Sequence, residues 1–473
     1  MSQRLEKWVV PVLPLLLAFV PAVAAAAAGN AAVDAYVRAQ MDRLYVPGLS
    51  LAVVKDGNVV YEHSYGLANV ELSVPVTSDT VFQIQSITKT FTASAIMMLV
   101  EEGKLSLDDP IGKHLEGTPD TWKSITIRHL LSHTSGIKDF INEPTASLRL
   151  DVSEQEVLEA TAQRELNFAP GERYLYCNTG YHLLAMVVRK VTGKSYGDFL
   201  AERIFKPLGM TRTRVQDLSE VIPGRAAGYN WEDGKLTNGE YVAQSILSYG
   251  GGGVLSTALD MAKWDAALRT EKLLKKSTLE QMWTPMTLND GKKSTYGLGW
   301  GTGSLAGHRY VQHSGGHVTG FQTFFRRYVD DGLTVIVLTN QSGNVDPSKI
   351  GARVAGMFDP SLSPPTYKPI EDERPEVAKL LKDVYARASR GDLSAEPFDP
   401  IFWAQISPRL TALRLFALAT GPIESLDLVE RKEEAGKHLY RYRLAVKGKA
   451  WLVLVGVNND GKIDELKTEL AED

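Results

Sequence analysis

Gln85-Ser86-Ile87-Thr88-Lys89 opens a helical run that continues through Glu102, where Gly103 supplies a C-cap. Residues three apart on a helix share a face, so the spacing predicts Lys89 beside the Ser86 hydroxyl at the helix N-terminus. A serine hydroxyl is a poor nucleophile at neutral pH and needs an adjacent base. A lysine serves when burial or a nearby positive charge lowers its pKa, and Phe82, Phe91, Ile96 and Met97 flank this one. Ser-x-x-Lys alone is a common pattern. A second copy, Ser135-Gly136-Ile137-Lys138, carries glycine beside its serine and follows Ser132-His133-Thr134, so it reads as a turn.

Outward from this helix the pattern changes period. Upstream, Ala31–Leu44 reads as a helix, and Leu49–Val54 and Asn58–Tyr65 are β-rich runs flanking Asp56-Gly57, a hairpin signal. Downstream, Gly297–Trp300, Tyr310–His313, Phe321–Arg326 and Leu333–Leu338 are strand candidates, the last two joined across Asp330-Asp331-Gly332. A mainly helical stretch separates the early and late strands. That arrangement is an α+β plan, an antiparallel sheet built from both ends of a domain with a helical insertion.

Two further motifs join Ser86 and Lys89. Tyr176-Cys177-Asn178 lies between the turn Pro170-Gly171-Glu172 and the apolar stretch Leu183–Val188. A phenol near an ammonium can share its proton, and an asparagine offers both a donor and an acceptor to a lysine and a substrate amide. His313-Ser314-Gly315-Gly316 ends a strand candidate, where glycines admit close approach to a strand edge. The N–H groups of Gly316 and Ser86 are the expected oxyanion donors.

The ordered set Ser-x-x-Lys, Tyr-x-Asn and His-x-Gly resembles the serine β-lactamase and penicillin-recognising family, in its class C β-lactamase, D-aminopeptidase and esterase branch. Ile127–Gly136, Gly250–Thr257 with Asp260, and Tyr296-Gly297-Leu298-Gly299-Trp300 resemble the same branch, so the likeness runs from about Ala31 to Met357. The resemblance implies a β-lactamase/transpeptidase-like antiparallel sheet flanked by helices, with a helical subdomain. It implies Ser86 as the acylated nucleophile, Lys89 as its proton partner and Tyr176 as general base. Asn178 would orient, and His313 would line the third side of the pocket with Ser314, Gly315 and Gly316. Efficient β-lactam hydrolases of the family carry Lys-Thr-Gly where this chain has His313-Ser314-Gly315, so the fixed charge that meets a substrate carboxylate is missing. The departure favours uncharged esters, amides or D-amino-acid peptides over penicillins.

Other readings of the same residues are plainer. Cys177, the one cysteine, is expected to be a small buried side chain, and His129 and His133 packed core histidines. Gly250–Gly253 lacks the Lys-Ser/Thr of a phosphate loop and reads as a turn into a helix capped at Thr257. His308, His313 and His317 carry no metal-ligand spacing, so no metal or cofactor is expected. In 473 residues the formal net charge is −4, with 23% charged and 44% hydrophobic residues and no basic run, which argues for a globular protein without a nucleic-acid partner. Its partner would be a small-molecule or peptide substrate.

Arg4 and Lys7 precede an apolar run from Trp8 to about Ala28 that ends Ala22-Val23-Ala24, the layout of a signal peptide over residues 1–27. Removal of that segment would leave a periplasmic or secreted protein with no membrane span; the alternative is an uncleaved anchor, since about 20 apolar residues can span a bilayer. The hydrolase domain is placed at 28–358 and a linker at 359–375, which holds five prolines. A small α+β accessory module follows at 376–473, with helices at Val377–Arg390 and Arg409–Ala419. Its strands are expected at Tyr440–Val446, Ala450–Val457 and Ile463–Leu470. The competing function is a non-catalytic binder of cell-wall peptide, which has no need of Ser86, Lys89 and Tyr176 together.

Overall fold

The computed structural model describes residues 19–140, 148–247, 249–407, 410–434, 437–447 and 449–471. Most of the expected signal segment lies outside the described residues. The chain divides into two compact units, Met1–Pro364 and Pro365–Asp473. The division falls inside the proline-rich stretch, whose ends are not free connector. Leu362 is buried in the core of the first unit, and the Ile370 N–H donates to the Leu428 carbonyl of the second at 2.8 Å. Both units are therefore wider than the 28–358 and 376–473 expected.

In the first unit, strands Gly48–Lys55 and Leu333–Thr339 pair antiparallel at the middle of a seven-stranded sheet. Outward on one side lie Asn58–Asn69 and Val74–Pro75; on the other lie Phe321–Tyr328, His308–His317 and Gly301–Leu305. Asp56 and Gly57 both have positive φ, 50° and 80°, which suits a tight hairpin turn between the first two strands. Both faces of the sheet are covered, so the central strands read as continuous apolar runs. Leu49, Leu51 and Val53 pack with Val33 and Val37 of helix Phe19–Leu44 and with Ile350 and Val354 of helix Pro347–Phe358. Ala52 and Val54 turn the other way, into the larger core with Phe91, Trp264 and Ile336.

Two expectations need correction here. The first helix runs from Phe19, not Ala31, through a run of alanines, the residue of highest helix propensity. Gly297–Trp300 is not a strand, and the edge strand begins at Gly301. Gly299 has φ +82°, and a Cβ there would stand 2.3 Å from the Ala93 methyl. This segment crosses helix Thr88–Glu101 at a distance only glycine allows, and its backbone is bent to do so.

The second unit holds helices Pro375–Arg390 and Leu410–Thr420 and a four-stranded antiparallel meander. Val377, Leu381, Val384 and Ala388 form the buried stripe of the first of these helices. The meander has a fourth strand, Ser425–Glu434, beside the three expected from sequence. Its run Glu430-Arg431-Lys432-Glu433-Glu434 lies on an edge strand, where charge masks the β period. Among the described residues, no helix is long and apolar enough to cross a membrane.

Candidate active site

Ser86 sits in a 3-10 turn, Gln85–Ile87, that runs directly into helix Thr88–Glu101. The turn begins with backbone strain, because Gln85 takes φ 52°, a left-handed value costly for a residue with a Cβ. Its side chain pins the turn. Gln85 Nε2 donates to Gln83 Oε1 at 2.8 Å and to Thr319 Oγ1 at 2.9 Å, and Thr319 Oγ1 donates to Gln83 Oε1 at 2.8 Å. From Val81 to Thr90, Ser86 alone is not fully buried. The strain lifts one hydroxyl out of an otherwise closed core at a helix N-terminus, where backbone N–H groups have no intrahelical acceptor.

Lys89 Nζ is fully buried and has three partners: Ser86 Oγ at 3.1 Å, Asn178 Oδ1 at 2.9 Å and the Gly251 carbonyl at 2.7 Å. Burial pulls its pKa down to about 7, against the opposing effect of the Asp139 and Cys177 side chains. The Tyr176 phenol faces the Ser86 side chain, and its ring centroid lies 4.8 Å from Lys89 Nζ. Burial pushes the Tyr176 phenol well above its ordinary range. At neutral pH the phenol holds its proton while the amine readily gives up its own. The structure thus brings Ser86, Lys89, Tyr176 and Asn178 together.

Asn178 is the first residue of helix Asn178–Thr192. Its Oδ1 faces Lys89, and its Nδ2 donates to Asp139 Oδ2 at 2.8 Å. Behind Tyr176 lies the His133 ring, 4.2 Å away between centroids, with Tyr296 at 4.7 Å and Tyr181 at 5.1 Å from it. His133 Nδ1 accepts from the Cys177 N–H at 3.1 Å, so the residue after Tyr176 is tied to this packed histidine. Cys177 itself is buried, and burial pushes its thiol up to about 12, which removes it as a nucleophile.

The third wall is strand His308–His317. The Arg309 carbonyl accepts from the Val329 N–H at 2.9 Å, and the register holds without a shift to His317 opposite Phe321. Alternate residues therefore turn their polar backbone groups to opposite edges, and those of Ser314 and Gly316 face away from strand Phe321–Tyr328. The neighbouring strand covers that edge only as far as Gln312 opposite Gly301, which leaves Gly316 on an open edge. Gly315 brings the strand onto the Ser86 turn, since a Cβ there would lie 2.5 Å from the Ile84 carbonyl and 2.7 Å from Gln85 Cβ. His313 is 6% exposed, and both ring nitrogens are engaged. Nδ1 lies 2.6 Å from the Ser314 carbonyl, an acceptor, so it carries the proton, and Nε2 accepts from the Tyr296 hydroxyl at 2.8 Å. Burial, with Lys89 nearby, lowers the His313 pKa to about 3, so the ring is neutral.

Sequence reading missed two participants. Gly251 was legible only as part of a turn, because a backbone carbonyl has no side-chain signature. Asp139 was hidden in the turn after Ser135. Among the described residues no cluster of His, Cys, Asp and Glu has the geometry to hold a metal ion.

A partly buried serine on a helix start, hydrogen-bonded to a buried lysine and faced by a buried tyrosine beside an open strand edge, defines a serine hydrolase of β-lactamase/transpeptidase-like fold. The profile of the Beta-lactamase family matches residues 33–356, and this chain belongs to that family. Penicillin-binding protein 4* of Bacillus subtilis (strain 168) is 34% identical over 314 residues, 63% of this chain and 69% of the relative. The D-aminopeptidase of Gluconobacter oxydans (strain 621H) is 28% identical over 344 residues, 71% of this chain and 64% of that protein, so slightly under two thirds of its length is spanned. The octameric penicillin-binding protein homologue from Pyrococcus abyssi superposes with a TM-score of 0.62 at 26% identity, covering 94% of this chain and 96% of the other.

Proposed function

We propose that this protein is an exported hydrolase of amides or esters, a D-amino-acid peptidase or amidase or an esterase, working through an acyl-Ser86 intermediate. Neutral Lys89, rather than the Tyr176 that the resemblance implied as general base, takes the Ser86 proton as the hydroxyl attacks the substrate carbonyl, because burial keeps the Tyr176 phenol protonated. The N–H groups of Ser86 and Gly316 hold the resulting oxyanion. Tyr176, still protonated and facing Ser86, passes a proton to the leaving nitrogen or oxygen and is reprotonated through Lys89. Water then cleaves the acyl ester by the reverse sequence.

The observation that carries the substrate class is His313, neutral and locked between the Ser314 carbonyl and the Tyr296 hydroxyl. It offers no cation to a substrate carboxylate, which disfavours β-lactams. The named D-aminopeptidase relative supports the amide reading. Export rests on the basic and apolar residues 1–27, and N-terminal sequencing of the mature protein tests it. One purified preparation assayed on a chromogenic short-chain ester, a D-amino-acid anilide and a chromogenic cephalosporin tests the substrate class. Faster turnover of the cephalosporin than of both others defeats the assignment.

A further inference from the structure

A neutral lysine amine has two N–H donors and one lone pair. Of the three partners of Lys89, the Gly251 carbonyl and Asn178 Oδ1 only accept, so they take the two N–H groups. Ser86 Oγ alone can donate, which aims the lone pair at the hydroxyl to be deprotonated. This holds only while Asn178 presents oxygen to Lys89. Turned over, the amide would present N–H and compete with Ser86 for that lone pair. The other end of the amide faces Asp139, whose carboxylate accepts and cannot donate, so the amide has one satisfactory orientation.

We propose that Asp139 is a positioning residue that acts through Asn178: it fixes the amide with its oxygen on Lys89 and sets a carboxylate one amide away from that amine. The inference rests on the acyl-Ser86 reading above. The other titratable groups around Lys89 are held uncharged by burial. Tyr176, Tyr181 and Tyr249, whose hydroxyl also donates to Asn178 Oδ1, are raised, the Cys177 thiol lies at about 12, and His133, His313 and His317 are lowered. Asp139 raises the Lys89 pKa against the larger, opposite effect of burial, so its loss should lower that pKa.

The test is the rate of Ser86 labelling by a fluorophosphonate as a function of pH, on the full chain, with folding checked by near-UV circular dichroism. Labelling needs the neutral amine, so the rate rises with pH through the Lys89 titration. In Asp139→Asn the charge is gone, and this limb is expected to move to lower pH by about one unit with a reduced plateau. Asp139→Glu is expected to keep the limb at its wild-type position. Asp139→Ser, which still accepts from the amide without charge, gives the same shift if Asp139→Asn fails to fold. A limb unmoved in folded charge-free variants overturns the inference alone. Wild-type protein that never labels at Ser86 sinks the acyl-enzyme reading and this inference with it.

Discussion

Lys89 Nζ lies 3.1 Å from Ser86 Oγ inside a core that admits no other cation to the serine among the described hydrogen bonds. This contact makes the serine dependent on one amine. Ser86→Ala is expected to fold normally and to lose at least about a thousandfold in kcat/KM, because nucleophile and base act as a unit. Ester turnover, with a mass shift on wild-type but not variant protein after fluorophosphonate treatment, checks this.

The pH profile follows from the sign of the Lys89 shift. The amine works unprotonated, and burial places its titration near 7 rather than 10.5. Activity should therefore rise from pH 6 to pH 8 and level off. A kcat/KM profile that is flat from pH 5 to 9 contradicts Lys89 as the proton acceptor.

Tyr176→Phe removes the hydroxyl that meets Ser86 and keeps the ring packed on His133. The expected loss is about 10²–10⁴-fold in kcat, with thermal stability nearly unchanged. A leaving group of low pKa, which needs no proton, should recover much of that loss. Equal losses on nitrophenyl and alkyl esters would count against a proton-passing phenol.

Gly315 is where the strand edge meets the Ser86 turn. In Gly315→Ala the new methyl meets the Ile84 carbonyl, backbone that cannot swing aside. The turn should shift from Gly316, costing about 100-fold in kcat for a displacement near 1 Å, with the protein still folded. Unchanged kinetics would show that this contact does not set the oxyanion geometry.

His313 also ties stability to pH. Its folded pKa, about 3, lies below the ordinary 6.5, so between these values the unfolded chain binds a proton that the native state refuses. Stability is expected to fall as pH drops below 6.5 and to keep falling toward 3, by a few kcal/mol at the order-of-magnitude level. His313→Gln should flatten part of this slope in thermal melts at pH 7, 5.5 and 4.5. An unaltered slope would mean that other groups carry it.

Much of this was legible in sequence because the informative features are local. The Asp56-Gly57 hairpin, the helix behind Ser86 and the Thr257 cap that accepts from the Asp260 N–H each follow from neighbours a few residues apart. What stayed hidden depends on contacts across the chain. Gly297–Trp300, expected as a strand, has two glycines among its four residues and is bent where Gly299 passes Ala93. Asp139 touches Asn178 from 39 positions away, and no spacing rule links them. The charged edge strand Ser425–Glu434 was missed because it is held by pairing with Lys437–Val446 rather than by its own pattern.

The pairing of Gly48–Lys55 with Leu333–Thr339 has a consequence for synthesis. The opening strand has no lasting neighbour on that side until the chain reaches Leu333, the partner of Lys55 and 278 residues beyond it. Strand His308–His317 is made earlier but joins Gly48–Lys55 only through Phe321–Tyr328 and Leu333–Thr339, so a chain that stops short of Leu333 carries Ser86 and Lys89 without the strand that ties Gly316 into the completed sheet. Hydrolytic competence is therefore expected only once the chain has been made through Thr339.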